Sequence, residues 1–201
     1  MTRGRVTLSF FIVGVFGLAP APASAADFAS VYSSIARKDC ATLNPKPPEK
    51  LGEHETVPYR CKNFSGYGVG YTFGGFSVGF RVTPPGRAET FDQLRAGYDL
   101  GNRVEWRGRR RAGVFIPEAA IVRLLWTKGD GAKVSALGVV RVEAKAACAA
   151  ALIDAEANKN ANDLARAAAD DAARQFKCGF DKPALKGAAG DIVREAFELL
   201  R

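Results

Sequence analysis

The chain has 201 residues, a formal charge of +8, 47% hydrophobic and 25% charged side chains, four cysteines and a single histidine. That balance is ordinary for a folded domain and excludes an intrinsically disordered chain or a multi-span membrane protein. One histidine also excludes a histidine-rich zinc centre.

In chain order, the first element is a targeting signal. Arg3 and Arg5 precede an apolar run from Val6 to Leu18, then Pro20, Pro22 and the small-residue site Ala23-Ser24-Ala25. This predicts a secretory signal peptide over 1–25, cleaved before Ala26 or Asp27. The run is too short to span a bilayer, and no later stretch is long enough. Residues 26–201 then form one extracytoplasmic domain of about +6 charge, periplasmic or secreted. All four cysteines lie in it: Cys40, Cys61, Cys148 and Cys178. In an oxidising compartment they predict two disulfides from three connectivities, with Cys40–Cys61 and Cys148–Cys178 favoured.

Phe28 to Arg37 is read as a short helix, and Arg87 to Tyr98 as holding a helical turn. Strands are predicted at 57–61, 67–73, 76–82, 103–107, 119–127, 134–143 and 147–153. The stretch Tyr67–Val82, YGVGYTFGGFSVGFRV, reads as a hairpin turning at Gly74-Gly75. Phe73 then pairs with Phe76, Tyr71 with Val78, Val69 with Phe80 and Tyr67 with Val82, so that every large side chain shares one face. Gly68, Gly70, Thr72, Ser77, Gly79 and Arg81 share the other. Glycine weakens a strand unless something must approach its backbone. The alanine-rich helix is expected to be that neighbour.

That helix spans about 160–177, with apolar Ala161, Leu164, Ala165, Ala168, Ala172 and Phe176 at helical spacing. Asp163, Arg166, Asp170 and Arg174 form an outer ladder of alternating sign. Strand 147–153 covers roughly 23 Å and the helix roughly 26 Å. Folding the helix back antiparallel therefore returns Cys178 to Cys148. A terminal helix is expected within 183–201, over 191–200. Strands first and helices last predict an α+β fold: a twisted antiparallel sheet of six to seven strands, covered by the C-terminal helix.

Chemical motifs are scarce. Gly66-x-Gly68 is followed by Tyr71 where a third glycine belongs, so no dinucleotide fingerprint is present, and no phosphate-loop lysine exists. A porin-like barrel needs at least eight strands of the hairpin's kind. His54 stands among loop charges, no nucleophile elbow occurs, and no spacing singles out a carboxylate pair. These absences predict a non-catalytic protein with no cofactor and no metal. Arg107, Arg109, Arg110 and Arg111 form the densest basic cluster and are candidates for binding an anionic surface. Outside the cytoplasm, nucleic acid is excluded as the partner, leaving another envelope protein or an anionic envelope component.

Two resemblances bear on this. The segment Cys148–Cys178, CAAALIDAEANKNANDLARAAADDAARQFKC, resembles uncharacterised secreted proteins of alphaproteobacteria, which implies a small periplasmic domain with two disulfides. Tyr59-Arg60-Cys61 with Thr127-Lys128-Gly129 resembles periplasmic inhibitors of c-type lysozyme, which implies Lys128 as a cleft-blocking lysine. Arg123 departs from that family's motif tyrosine, and Ser135 and Gly138 follow the turn rather than precede it. The residues predict a binding or envelope-associated protein, with a lysozyme inhibitor as alternative and an unrecognised hydrolase third.

Overall fold

The computed structural model describes residues 28–43, 56–74, 77–88 and 91–200. The signal segment, His54 and the tip residues Gly75 and Phe76 lie outside them. The strands are β1 (Ala29–Ser34), β2 (Cys40–Thr42), β3 (Val57–Phe64), β4 (Tyr67–Gly74), β5 (Ser77–Thr83), β6 (Leu94–Ala96), β7 (Asp99–Arg111), β8 (Val114–Thr127), β9 (Lys133–Val142), β10 (Ala147–Asp154) and β11 (Ala184–Leu185). The helices are α1 (Ala161–Gln175) and α2 (Asp191–Glu198). The α+β class is as expected, but the single sheet is replaced by two. One has the order β1-β7-β8-β9-β10-β11 and the other β2-β3-β4-β5-β6. All pairings are antiparallel except β10–β11.

Three layers result. Val104, Trp106, Ala120, Val122 and Leu124 from the six-stranded sheet meet Tyr59, Tyr71, Val78, Phe80 and Val82 from the five-stranded one in a single core. Trp106 is fully buried, stacks on Phe64 with ring centroids 4.8 Å apart, and donates its indole N–H to Ser33 Oγ at 2.9 Å. The buried residues Val193 and Phe197 of α2 join the same core. On the opposite face of the larger sheet, Ala119, Ile121, Leu137, Val139 and Ile153 pack against Ala161, Ala165, Ala168, Ala169 and Ala172 of α1. Strands β8 and β9 are therefore buried on both faces, which is why they read as near-continuous apolar runs.

Several expectations change. Phe28 to Arg37 is largely an edge strand: β1 pairs with β7 from Ala29↔Gly108 to Ser34↔Arg103. The apolar residues there lie at helical spacing, but β7 offers an unpaired edge whose hydrogen bonds decide the outcome. The turn expected over 87–98 gives way to β6, which extends the small sheet beside β5. The outer ladder on α1 is partly turned inward. Arg166 and Asp170 bond Glu105 and Arg107 of the sheet, and Arg174–Asp171 and Arg166–Asp163 are the pairs along the helix among the described residues.

Both favoured disulfides form. Cys40 and Cys61 face each other across β2–β3. Cys178 follows α1, which runs antiparallel to β10, and reaches Cys148 with Cα atoms 5.7 Å apart. Among the described residues, no helix is long and apolar enough to cross a membrane.

Candidate functional site: an arginine-lined groove over the glycine hairpin

The β4–β5 hairpin buries the face that its pattern predicts, with its register displaced. Tyr71 pairs with Phe80, Val69 with Val82, Phe73 with Val78 and Gly74 with Ser77. The reversal thus falls one residue later than Gly74-Gly75, and every pairing moves by two. An even shift leaves each side chain on its own face.

The glycine face does not meet α1, which lies on the other sheet. Its neighbours are Arg81 of the same face and the returning segment that carries Asp92. A Cβ on Gly79 would overlap the Asp92 carboxylate. A Cβ on Gly70 would stand 3.3 Å from Arg81 Nε and 2.7 Å from the Tyr59 carbonyl oxygen. The glycines clear room for a charged pair. Arg81 Nη1 lies 3.3 Å from Asp92 Oδ1, and the two side chains are only 6% and 13% exposed. Thr72 Oγ1 donates to Asp92 Oδ2 at 2.7 Å. Asp92 is held in turn by its neighbour Gln93, whose side-chain oxygen accepts from the Val82 N–H at 2.7 Å and whose own N–H donates to the Phe80 carbonyl.

Beside this pair lies a hollow of about 290 Å³, lined by Arg60, Arg81 and Arg87, the backbone of Gly66, Gly68 and Gly70, Asn63 and Thr83. Pro84, Pro85 and Gly86 form its lip. Arginine forks with exposed glycine backbone suit a carboxylate or phosphate oxygen set. Among the described residues, its lining contains no histidine, thiol or carboxylate. Across the described residues, no three His, Cys, Asp or Glu side chains gather as metal ligands.

The residues singled out from sequence are dispersed. Arg107 makes a two-pronged contact with Asp170, at 2.8 and 2.6 Å. Arg109 does the same with Glu118, at 3.1 and 2.7 Å, and its guanidinium lies over the Phe28 ring. Arg110 donates to the Gly113 carbonyl, and Arg111, 67% exposed, lies 3.9 Å from Glu118. Two members of the cluster are thus committed to holding α1 and the β7–β8 bend, and two face solvent at the hairpin tip. Lys128 is exposed in the β8–β9 turn, where its N–H donates to the Ala132 carbonyl and its own carbonyl accepts from Gly131. Asp154, a buried carboxylate, accepts N–H bonds from Glu156, Ala157 and Gly190 and serves the loop before α1.

No family model, curated protein or solved structure matches the chain.

The groove itself carried one faint sequence signal. Arg81 stands among the small residues of a face that otherwise lacks large side chains. Asp92, its partner, comes from an irregular segment that no periodicity marks.

Proposed function

We propose that this is a non-catalytic extracytoplasmic binding protein that takes a phosphate-bearing anionic envelope component in the Arg60–Arg81–Arg87 groove. The observation that carries the reading is the Arg81–Asp92 pair. Burying two charges costs several kcal/mol unless geometry compensates it, and here the glycines give up strand stability to seat it. Asp92 offsets much of the Arg81 charge while fixing its fork at the floor of the hollow, and Arg60 and Arg87 beside it add the positive charge that draws an anion. Two disulfides support a location outside the reducing cytoplasm.

The test is retention on a lipopolysaccharide surface, with inorganic phosphate as competitor. Arg81→Gln and Arg87→Gln should each weaken retention about tenfold, the scale of one charge-assisted contact. An Arg110→Ala/Arg111→Ala double variant should weaken it less than about twofold, as expected for exposed charges. Loss confined to the double variant would transfer the contact to the hairpin tip and defeat the groove reading. A second reading, inhibition of c-type lysozyme, is favoured by the exposed position of Lys128 on a hairpin turn. It predicts stoichiometric inhibition that Lys128→Ala abolishes.

A further inference from the structure

A second hollow, of about 380 Å³, lies on the other side of the molecule, between the first turns of α1 and the larger sheet. It crosses four adjacent strands: Tyr32 from β1, Arg103 and Glu105 from β7, Ile121 and Arg123 from β8, and Leu137 from β9. Its volume is at the lower end of small-ligand pockets. Ile121 and Leu137, with Ala165 of α1, make an apolar floor. Above it the charge is unbalanced. Arg166 is neutralised by Glu105, at 2.7 Å. Burial would raise the Glu105 carboxyl, but hydrogen bonds from Arg166 and Ser30 outweigh it and hold the carboxyl below its usual range, so it is ionised at neutral pH. The other two cations are not offset in this way. Arg103 stands over the Tyr32 ring. Arg123 donates to Ser135 Oγ at 2.9 Å, and that hydroxyl donates on to Glu156 at 3.0 Å, so Glu156 offsets Arg123 only through an intervening hydroxyl. Among the described residues, neither has a carboxylate within 4.0 Å.

We infer that this hollow binds a small amphipathic anion, its acidic head between Arg103 and Arg123 and its short hydrocarbon tail over Ile121, Leu137 and Ala165. The groove over Gly70 differs in its lining, where glycine backbone and prolines stand in place of the aliphatic side chains of Ile121 and Leu137. A tail with no charge leaves Arg103 unmatched and Arg123 matched only through the Ser135 hydroxyl. A charge with no tail leaves the floor wet. Only the combination satisfies both halves of the pocket.

Isothermal titration of the disulfide-intact protein tests this with four probes: octanoate, octyl phosphate, acetate and octyl glucoside. Octanoate or octyl phosphate should bind at one site per chain, and which of the two binds more tightly tells a carboxylate head from a phosphate head. Acetate and octyl glucoside should bind at least about tenfold more weakly. Arg103→Gln, at an exposed position, should weaken the anionic probes about tenfold, the scale of one charge-assisted contact. Asn162→Leu, on the exposed rim of α1, should obstruct entry without removing a charge. Arg87→Gln, at an exposed position of the groove, should leave octanoate binding unchanged, which separates this site from the groove. Equal binding of octyl glucoside would overturn the anionic half of the inference, and equal binding of acetate the apolar half. Full affinity in Arg103→Gln would overturn the location.

Discussion

Gly79→Ala adds one methyl group at the place where the groove depends on having none. The new Cβ would overlap the Asp92 carboxylate and lie 2.8 Å from the Asp92 Cβ, so the whole acidic side chain must leave its seat. Two interactions go with it, the 3.3 Å pair with Arg81 and the 2.7 Å bond from Thr72. Removing one partner of a buried pair outright costs about 3–5 kcal/mol. Here Asp92 survives and can rehydrate, which recovers part of that cost. Ala is also better suited than Gly to a strand interior, by about 0.5–1 kcal/mol. A net loss of about 2 kcal/mol is expected, or about 4–8 °C in Tm for a chain of this length.

The assay is equilibrium urea unfolding with the disulfides intact, followed by tryptophan fluorescence. Gly129→Ala is the control, since a methyl there meets nothing within 4 Å. It should change stability by less than about 0.5 kcal/mol. The decisive comparison is a double-mutant cycle. In an Asp92→Gly background Gly79→Ala meets neither the carboxylate nor the Cβ of residue 92, so its cost should fall close to zero. A cost that persists undiminished would show that the methyl acts on the backbone, and the account of the glycine face would be refuted.

Two further outcomes follow from the same fold. Replacing Cys148 and Cys178 by Ala opens a loop of 30 residues, for which chain entropy gives about 3.6 kcal/mol of lost stability; urea midpoints should show it, and a loss below about 1 kcal/mol would contradict the antiparallel return of α1. Tyrosine ionisation followed at 295 nm should be spread out: Tyr98 ionises below the usual 10.0 because Lys133 donates to its hydroxyl, whereas burial raises Tyr67 and Tyr71 above it. For Tyr67 and Tyr71 the folded value is the raised one. Their contribution to stability is intact below pH 10 and fades as pH climbs through the folded values, so alkaline unfolding should accompany their ionisation. Titration of either with the fold intact at ordinary pH would contradict their burial.

The hairpin shows how far patterning reads and where it stops. Alternation of aromatic and small residues assigns faces, and those faces are correct over Tyr67–Gly74 and from Ser77 to Val82. Registers that differ by two residues bury the same set, so alternation cannot choose between Gly74-Gly75 and the next position as the turn. The partition into two sheets had a signal in the continuous apolar runs Ala119–Val122 and Ala136–Val140, which mark strands covered on both faces. A strand with a glycine face, by contrast, needs only one apolar layer. That difference identifies the larger sheet as the seat for α1. The pockets were less legible. Arg103 and Glu105 are local in sequence, but Arg123, Leu137 and Arg166 join them only through strand order and the packing of α1. The basic cluster at 107–111 was visible as charge, whereas its neutralisation by Asp170 and Glu118 depends on tertiary contacts.

The contact between α1 and β7 also explains why the helix takes one direction over the sheet. Arg166 and Asp170 are four apart on a helix, about 6 Å along its axis. Glu105 and Arg107 are two apart on a strand, about 6.6 Å. The spacings nearly match and the signs are crossed, so Arg166 meets Glu105 while Asp170 meets Arg107. Turning the helix end for end would set Arg166 against Arg107 and Asp170 against Glu105, two like-charge contacts in a partly buried layer. An alanine face alone could not make that choice, since small side chains pack almost equally well in either sense. Ion pairs at this depth add little net stability, but they discriminate between orientations. The orientation they select is the one that brings Cys178 back to Cys148 and places the first turns of α1 over the Ile121–Leu137 floor.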